Sequence, residues 1–569
     1  MDEGKGVRSP WGGFQMRENW VVATGALALL AAPAAANPVA SFSSINYRAE
    51  GPRTAPAERY RNPVLPGFHP DPSTVRVGDD FYLVTSTFGW FPGIPVFHSR
   101  DLVNWELIGH AIDRPGMLDL TGMHAVSDGV YAPAISWHDG TFYIFNTCVR
   151  CGGNYYVTAR DPAGPWSDPV WVPFAGIDPS LFFDDDGKVW VINNDLPEGG
   201  ETYPGHRALW VQQIDLDRGR MFGPRTMVVD GGVDPAAKPV WAEGPHIFKK
   251  DGWYYINAAE GGTAENHSQT IWRSRSVTGP YVPGPNNPTL TQRDLPADRP
   301  NRVEATGHAD LFELADGSWW ATFLATRPFA GQSTLLGRET YLLPVTWRDG
   351  WPTILPPGEP VPAVADRPDL PAGKEANWRS WHADFRGPRL SPEWIQLRNP
   401  ADVQWYALDR ERGALQIVAG SDAASTLAKP HFLGRRMRDP VAQWTARFAF
   451  APEAQGDFAG LMAFASEEHF FMAGIEGGKR GAYLAVRYRN GSGDPANGAL
   501  VARAPLPDAS EAVELRLAID RGTADVSWRR AGGTTWQRLA SDVDVEGLAS
   551  IHTGLFTGVT VGPYVYSAR

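Results

Sequence analysis

The sequence predicts an all-β protein in two parts, a five-bladed β-propeller followed by a β-sandwich. Three observations carry that expectation. The 569 residues exceed what one ordinary core holds. Aromatics make up 12% of the chain, and its 60 Gly and 49 Pro favour short strands joined by tight turns over long helices. A turn followed by an aromatic strand recurs five times, as GDDFYLVTSTF, HDGTFYIFNT, DDGKVWVINN, KDGWYYINAA and ADGSWWATFL.

The first element is a targeting segment rather than part of the fold. From Met16 the chain reads MRENWVVATGALALLAAPAAANPVA, an Arg, an apolar stretch from Val21 to Leu30 and a small-residue site at Ala34-Ala35-Ala36. This predicts a signal peptide over residues 1–36, with the true start near Met16 and a secreted or periplasmic destination. The apolar stretch is too short to span a bilayer. Residues 37–60 are expected to be a lead-in.

The propeller is expected over residues 61–356. Its turn markers Asp79, Asp139, Asp186, Asp251 and Asp316 leave intervals long enough for one four-stranded sheet each. Eight residues before each marker stand Asp71, Tyr131, Asp178, Glu243 and His308. Equal offsets in equivalent repeats put these side chains at the start of the inner strands, facing a central channel. That answers why HPDPS places an acid beside a strand: Asp71 lines the channel, where a carboxylate avoids the cost of unpaired burial. In CVRC, Cys148 and Cys151 read as loop thiols or a local staple, since a redox pair would need a βαβ context.

Three carboxylates in one cavity suit general acid and base work, because repulsion and burial push their pKa values apart. Cleavage of a glycosidic bond needs such a proton donor and base on opposite sides. The ring of five holds no Lys or Arg, which argues against a phosphate substrate. The net charge of −12 without long like-charge runs argues against nucleic acid or an anionic membrane as partner. Phe88, Trp90 and Phe91 in STFGWFPG supply apolar faces for a sugar ring.

Residues 357–376 form a proline-rich linker, and residues 377–569 the sandwich. AYLAVRYR and VELRLAID alternate apolar and polar residues as half-buried strands do.

NPVLPGFHPDPS, STFGWFPG, SRDLVNW, GIDPSLFFDDDGK, EGPHIF, AEGGT, GHADL and LGRETYLLPVTWRDGWP, in that order from Asn62 to Pro356, resemble glycoside hydrolase family 43. The match is to its β-xylosidase and α-L-arabinofuranosidase branch. DFRGPRLSPEWIQLRNP resembles the opening of that branch's concanavalin A-like jelly roll. The resemblance implies a general base at Asp71, a tuning and orienting acid at Asp178 and a general acid at Glu243, with inversion at the anomeric carbon. It places Phe88, Trp90, Tyr131, His308 and Arg338 at the substrate. No cofactor is implied, although in some relatives the histidine matching His308 lies near Ca2+. The expected partner is a xylo- or arabino-oligosaccharide. The alternatives are α-L-arabinofuranosidase as the main activity, or a catalytically inactive sugar-binding propeller.

Overall fold

The turns close as their dipeptides require. Asp139 and Gly140 have φ of 46° and 71°, and Asp251 and Gly252 of 50° and 73°, the paired left-handed geometry of two-residue hairpins. The third and fifth repeats use longer turns, residues 184–188 and 314–318.

These hairpins build the five blades in this computed structural model, which describes residues 37–51, 55–331, 333–398, 404–554 and 556–569. The first blade is the sheet Ser73–Val77, Asp80–Val84, Gly93–Ser99 and Glu106–Ile112. The second runs Ala134–His138, Thr141–Val149, Gly153–Ala159 and Val170–Trp171, with Gly129–Val130 also on Thr141–Val149. The third is Ile177–Phe183, Val189–Asp195, Ala208–Asp215 and Arg220–Asp230. The fourth is Glu243–Lys250, Trp253–Glu260, Ser268–Ser274 and Val282–Pro283, and the fifth Glu304–Glu313, Trp319–Thr326, Glu339–Arg348 and Trp351–Thr353. Each strand is too short to bury its apolar faces alone, so neighbouring blades stack and share cores.

Side-chain bonds and a backbone bridge between Leu65 and Thr340 close the ring. Asp310 of the fifth blade accepts from the Ser73 hydroxyl and the Thr74 N–H of the first, each at 2.9 Å. The Asn62 amide donates to the Leu342 carbonyl and its oxygen accepts the Leu342 N–H, which fastens the propeller's opening segment to the fifth blade.

The expected lead-in is instead part of the sandwich. Strand Val39–Ala49 lies inside its first sheet, between Ala414–Val418 and Val441–Ala449, so the sandwich is built from both ends of the chain. Short-range patterning cannot show this, because the partners lie some 400 residues away. Strand Val513–Asp520 of the same sheet alternates buried and half-buried positions up to exposed Asp520, as expected of a half-buried strand. The second sheet ends on Trp90–Phe91, a strand donated by the propeller that pairs with Ile395–Leu397. Propeller and sandwich thus form one compact unit, residues 37–569. The linker is a strap: Val364–Asp366 pairs with Arg59–Arg61, and Asp101 accepts from Arg367 and from the Gly373 N–H.

Cys148 and Cys151 form a disulfide at the end of the second blade's hairpin. The signal peptide and the proposed start at Met16 lie outside the described residues. Among the described residues no helix is long and apolar enough to cross a membrane.

Candidate active site

The backbone presents the site residues through left-handed positions. Asp71, Asp178, Gly244 and His308 have φ of 53°, 53°, 57° and 50°, where the inner strands of four blades enter the channel. Non-glycine residues hold such conformations at a cost, and they persist where surrounding packing fixes them. This register corrects the eight-residue count in the fourth blade. Asp251 is the first residue of its two-residue turn, whereas Asp79 is the second of the first blade's, so the count lands one residue upstream of Gly244. Glu243 reaches the same cavity from the preceding position.

Asp71, Asp178, Glu243, His308 and Arg338 converge, each between 4% and 8% exposed. Asp71 accepts from the Ser86 hydroxyl on one oxygen, and from Arg338 Nη1 at 3.4 Å on the other. His308 Nδ1 stands 3.5 Å from that second oxygen. The Gly244 N–H donates to Asp178 at 3.2 Å, which ties the two neighbouring acids to one backbone segment.

Burial pushes the Glu243 carboxyl up to about 7, with Arg338 opposing and Asp71 adding to the rise. Burial, then the charges of Glu243 and Asp71, push Asp178 well above the usual carboxylate range. Both carboxyls are thus biased towards their protonated forms. Burial also takes His308 down to about 4, leaving a neutral imidazole beside Asp71.

Arg338 is incompletely satisfied. Its Nε and Nη2 are buried with no protein partner, while the guanidinium lies 4.7 Å from the Phe556 ring centre. Donors left free in a cavity suit the hydroxyls of a bound polar ligand.

Phe556 comes from the sandwich, and the sequence reading missed it. Its ring meets Phe88 at 5.7 Å and Tyr131 at 6.2 Å. No local motif marks it, since only the docking of the two parts brings it here. Ser86 was also missed as the partner of Asp71, although it is the first residue of the quoted STFGWFPG run. Phe88, 1% exposed, backs Tyr131 and Phe556 rather than presenting a free face.

Trp90 is not a wall of the site, contrary to expectation. Its indole is 1% exposed and packs against Phe432 and Phe464 at 6.1 and 5.8 Å, inside the junction with the sandwich. Alternation explains this: Trp90 lies on the strand that the propeller lends to the second sheet. The residues around His308 also do not make a cage for Ca2+. Among the described residues no three His, Cys, Asp or Glu side chains group as metal ligands, and both oxygens of nearby Asp71 are already engaged.

Comparisons with known proteins agree with this geometry. The model of glycosyl hydrolases family 43 matches residues 60–352, and that of the beta-xylosidase C-terminal concanavalin A-like domain matches residues 382–569. A non-reducing end alpha-L-arabinofuranosidase of Bacteroides ovatus is 41% identical over 72% of this chain and 75% of its own length. The crystal structure of a xylan beta-1,4-xylosidase from Bacillus halodurans superposes with a TM-score of 0.81 at 33% identity, covering 89% of this chain and 97% of that one. A GH43_12 structure retrieved from capybara gut metagenome gives 0.85 at 33% identity, covering 93% and 100%. The propeller, its three converging acids and the attached jelly roll therefore have one common explanation: the chain belongs to glycosyl hydrolases family 43 and is a glycoside hydrolase.

Proposed function

We propose that the protein is an exo-acting, inverting hydrolase that releases xylose or arabinofuranose from the non-reducing ends or branches of hemicellulose oligosaccharides. The observation that carries this reading is the pair of buried acids, Asp178 and Glu243, both held above the usual carboxylate range, set beside a separate carboxylate held by Arg338 and Ser86. Glu243 is the proton donor to the departing glycosidic oxygen. Asp71 takes a proton from the attacking water, and its bonds to Ser86 and Arg338 orient it. Asp178 acts on Glu243 through the Gly244 N–H and through its charge. Arg338 offers its free N–H groups to sugar hydroxyls, and His308 stands beside the base. Tyr131 and Phe556 supply apolar faces for the sugar ring, which suits removal of single terminal units. The leader expected over residues 1–36 favours action outside the cytoplasm.

Proton NMR of the anomeric signals tests the reading, with the protein acting on xylobiose and, separately, on an arabinofuranosylated xylo-oligosaccharide. The expected first product from xylobiose is α-xylose. The 41% identity to a protein named an alpha-L-arabinofuranosidase favours arabinofuranose as the second substrate. Arabinose alone would assign that activity, initial β-xylose would overturn inversion, and no release from either would overturn the hydrolase reading in favour of a binding propeller.

A further inference from the structure

We propose that the junction between propeller and sandwich binds a small inorganic anion of chloride size on the guanidinium of Arg436. Strand Leu433–Arg436 and the residues just after it bring Arg435, Arg436 and Arg438 into this junction at 9%, 3% and 6% exposure. Three guanidinium charges face one carboxylate, Glu393. It pairs closely with Arg438 and stands 3.9 Å from Arg435. Arg435 and Arg438 also lie against the rings of Trp381 and Trp378, at 4.1 and 4.3 Å.

Arg436 makes no ion pair, Glu393 acting on it only at longer range, and its one aromatic contact is more distant than theirs. Its Nε, Nη1 and Nη2 are all buried without a protein acceptor, and its nearest ring, Phe68, is 5.3 Å away. A guanidinium cannot shed its charge at neutral pH, and an uncompensated buried cation is strongly unfavourable. A bound anion removes that imbalance.

Other orphaned donors surround the same spot. Both ring nitrogens of His69, 1% exposed, lack protein partners, as does Nε2 of His110. Thr560 is paired with Arg436 across the strands, which puts the two side chains on one face, and its buried Oγ1 is also unpartnered. Burial, then the charge of Arg436, keeps both imidazoles neutral, so each offers an N–H without adding charge. Side chains this buried require a ligand that gives up its hydration readily. A monovalent halide does so at far less cost than phosphate or sulfate, and its single charge answers the single unpaired arginine. The site also braces the catalytic strand: the His69 N–H donates to the Arg338 carbonyl, and Asp71 follows two residues later.

The test uses the full chain, purified into sodium gluconate and titrated with sodium chloride at constant ionic strength. The melting temperature is expected to rise saturably, by roughly 2 °C or more. The rise should vanish in Arg436→Met. A bromide-soaked crystal should show an anomalous peak on the Arg436 guanidinium. A melting temperature indifferent to chloride, with only water at Arg436, would overturn the proposal. So would a bromide peak without any thermal effect, which would mean an adventitious ion only. Should Arg436→Met fail to fold, the wild-type titration and the bromide map decide the matter between them.

Discussion

Gly244 and His308 occupy one space. A Cβ on Gly244 would lie 2.4 Å from His308 Nε2 and within 2.7 Å of two ring carbons. The residue after the proton donor is therefore glycine for two reasons, its φ of 57° and the imidazole packed against it. Gly244→Ala should push His308 from Asp71 and lower kcat/KM by roughly 100-fold, the cost of about 1 Å of misplacement in a catalytic group. Steady-state kinetics with a circular dichroism check of folding would measure it. Unchanged kinetics would mean that the position of His308 does not matter.

Glu243→Gln keeps the volume and removes the proton. Cleavage of xylobiose, whose leaving group needs protonation, should fall by about 10²–10⁴-fold, while an activated aryl glycoside should suffer much less. Equal losses on both substrates would assign Glu243 another role.

The pH dependence follows from the same carboxyl. Its folded pKa, about 7, lies above that of a free glutamate, so kcat/KM should fall as pH rises through about 7 and the donor ionises. The stability contribution has the same sign: it is fully present below the free-carboxyl value and is lost as pH rises through the folded one. The nearby Arg207 charge lowers the Glu243 pKa, so Arg207→Met should move the alkaline limb of the profile to higher pH. A limb that stays in place would assign it to another group.

Phe556→Ala tests whether the sandwich completes the pocket. Losing one aromatic face worth about 1.4 kcal/mol predicts a roughly tenfold rise in KM, with kcat changed less. A fall in melting temperature with KM unchanged would make the ring a packing residue only.

Trp90→Ala should behave the other way. Emptying a fully buried indole site costs about 3–5 kcal/mol, so calorimetry should show marked destabilisation of the junction while KM for any folded enzyme stays near the wild-type value. A large KM effect without loss of stability would return Trp90 to the substrate.

The sequence by itself determined the repeating units and their chemistry. Four Asp-Gly turns, one Gly-Asp turn and the aromatic strands after them are local signals, and the five together implied five blades. HPDPS, GIDPS and AEGPH placed Asp71, Asp178 and Glu243 in comparable local settings, so their convergence in the channel was legible before any fold was seen. Only tertiary structure decided how the two parts join. Val39–Ala49 finds its partners some 400 residues along the chain, Trp90 turns into the sandwich, and Phe556 turns towards Arg338. These outcomes depend on contacts between distant segments, where burial of apolar surface overrides any local pattern. The burial of Arg436 beside Arg435 and Arg438, with Glu393 between the three, belongs with them, because an arginine in a sequence shows neither its burial nor the number of arginines that share its carboxylate.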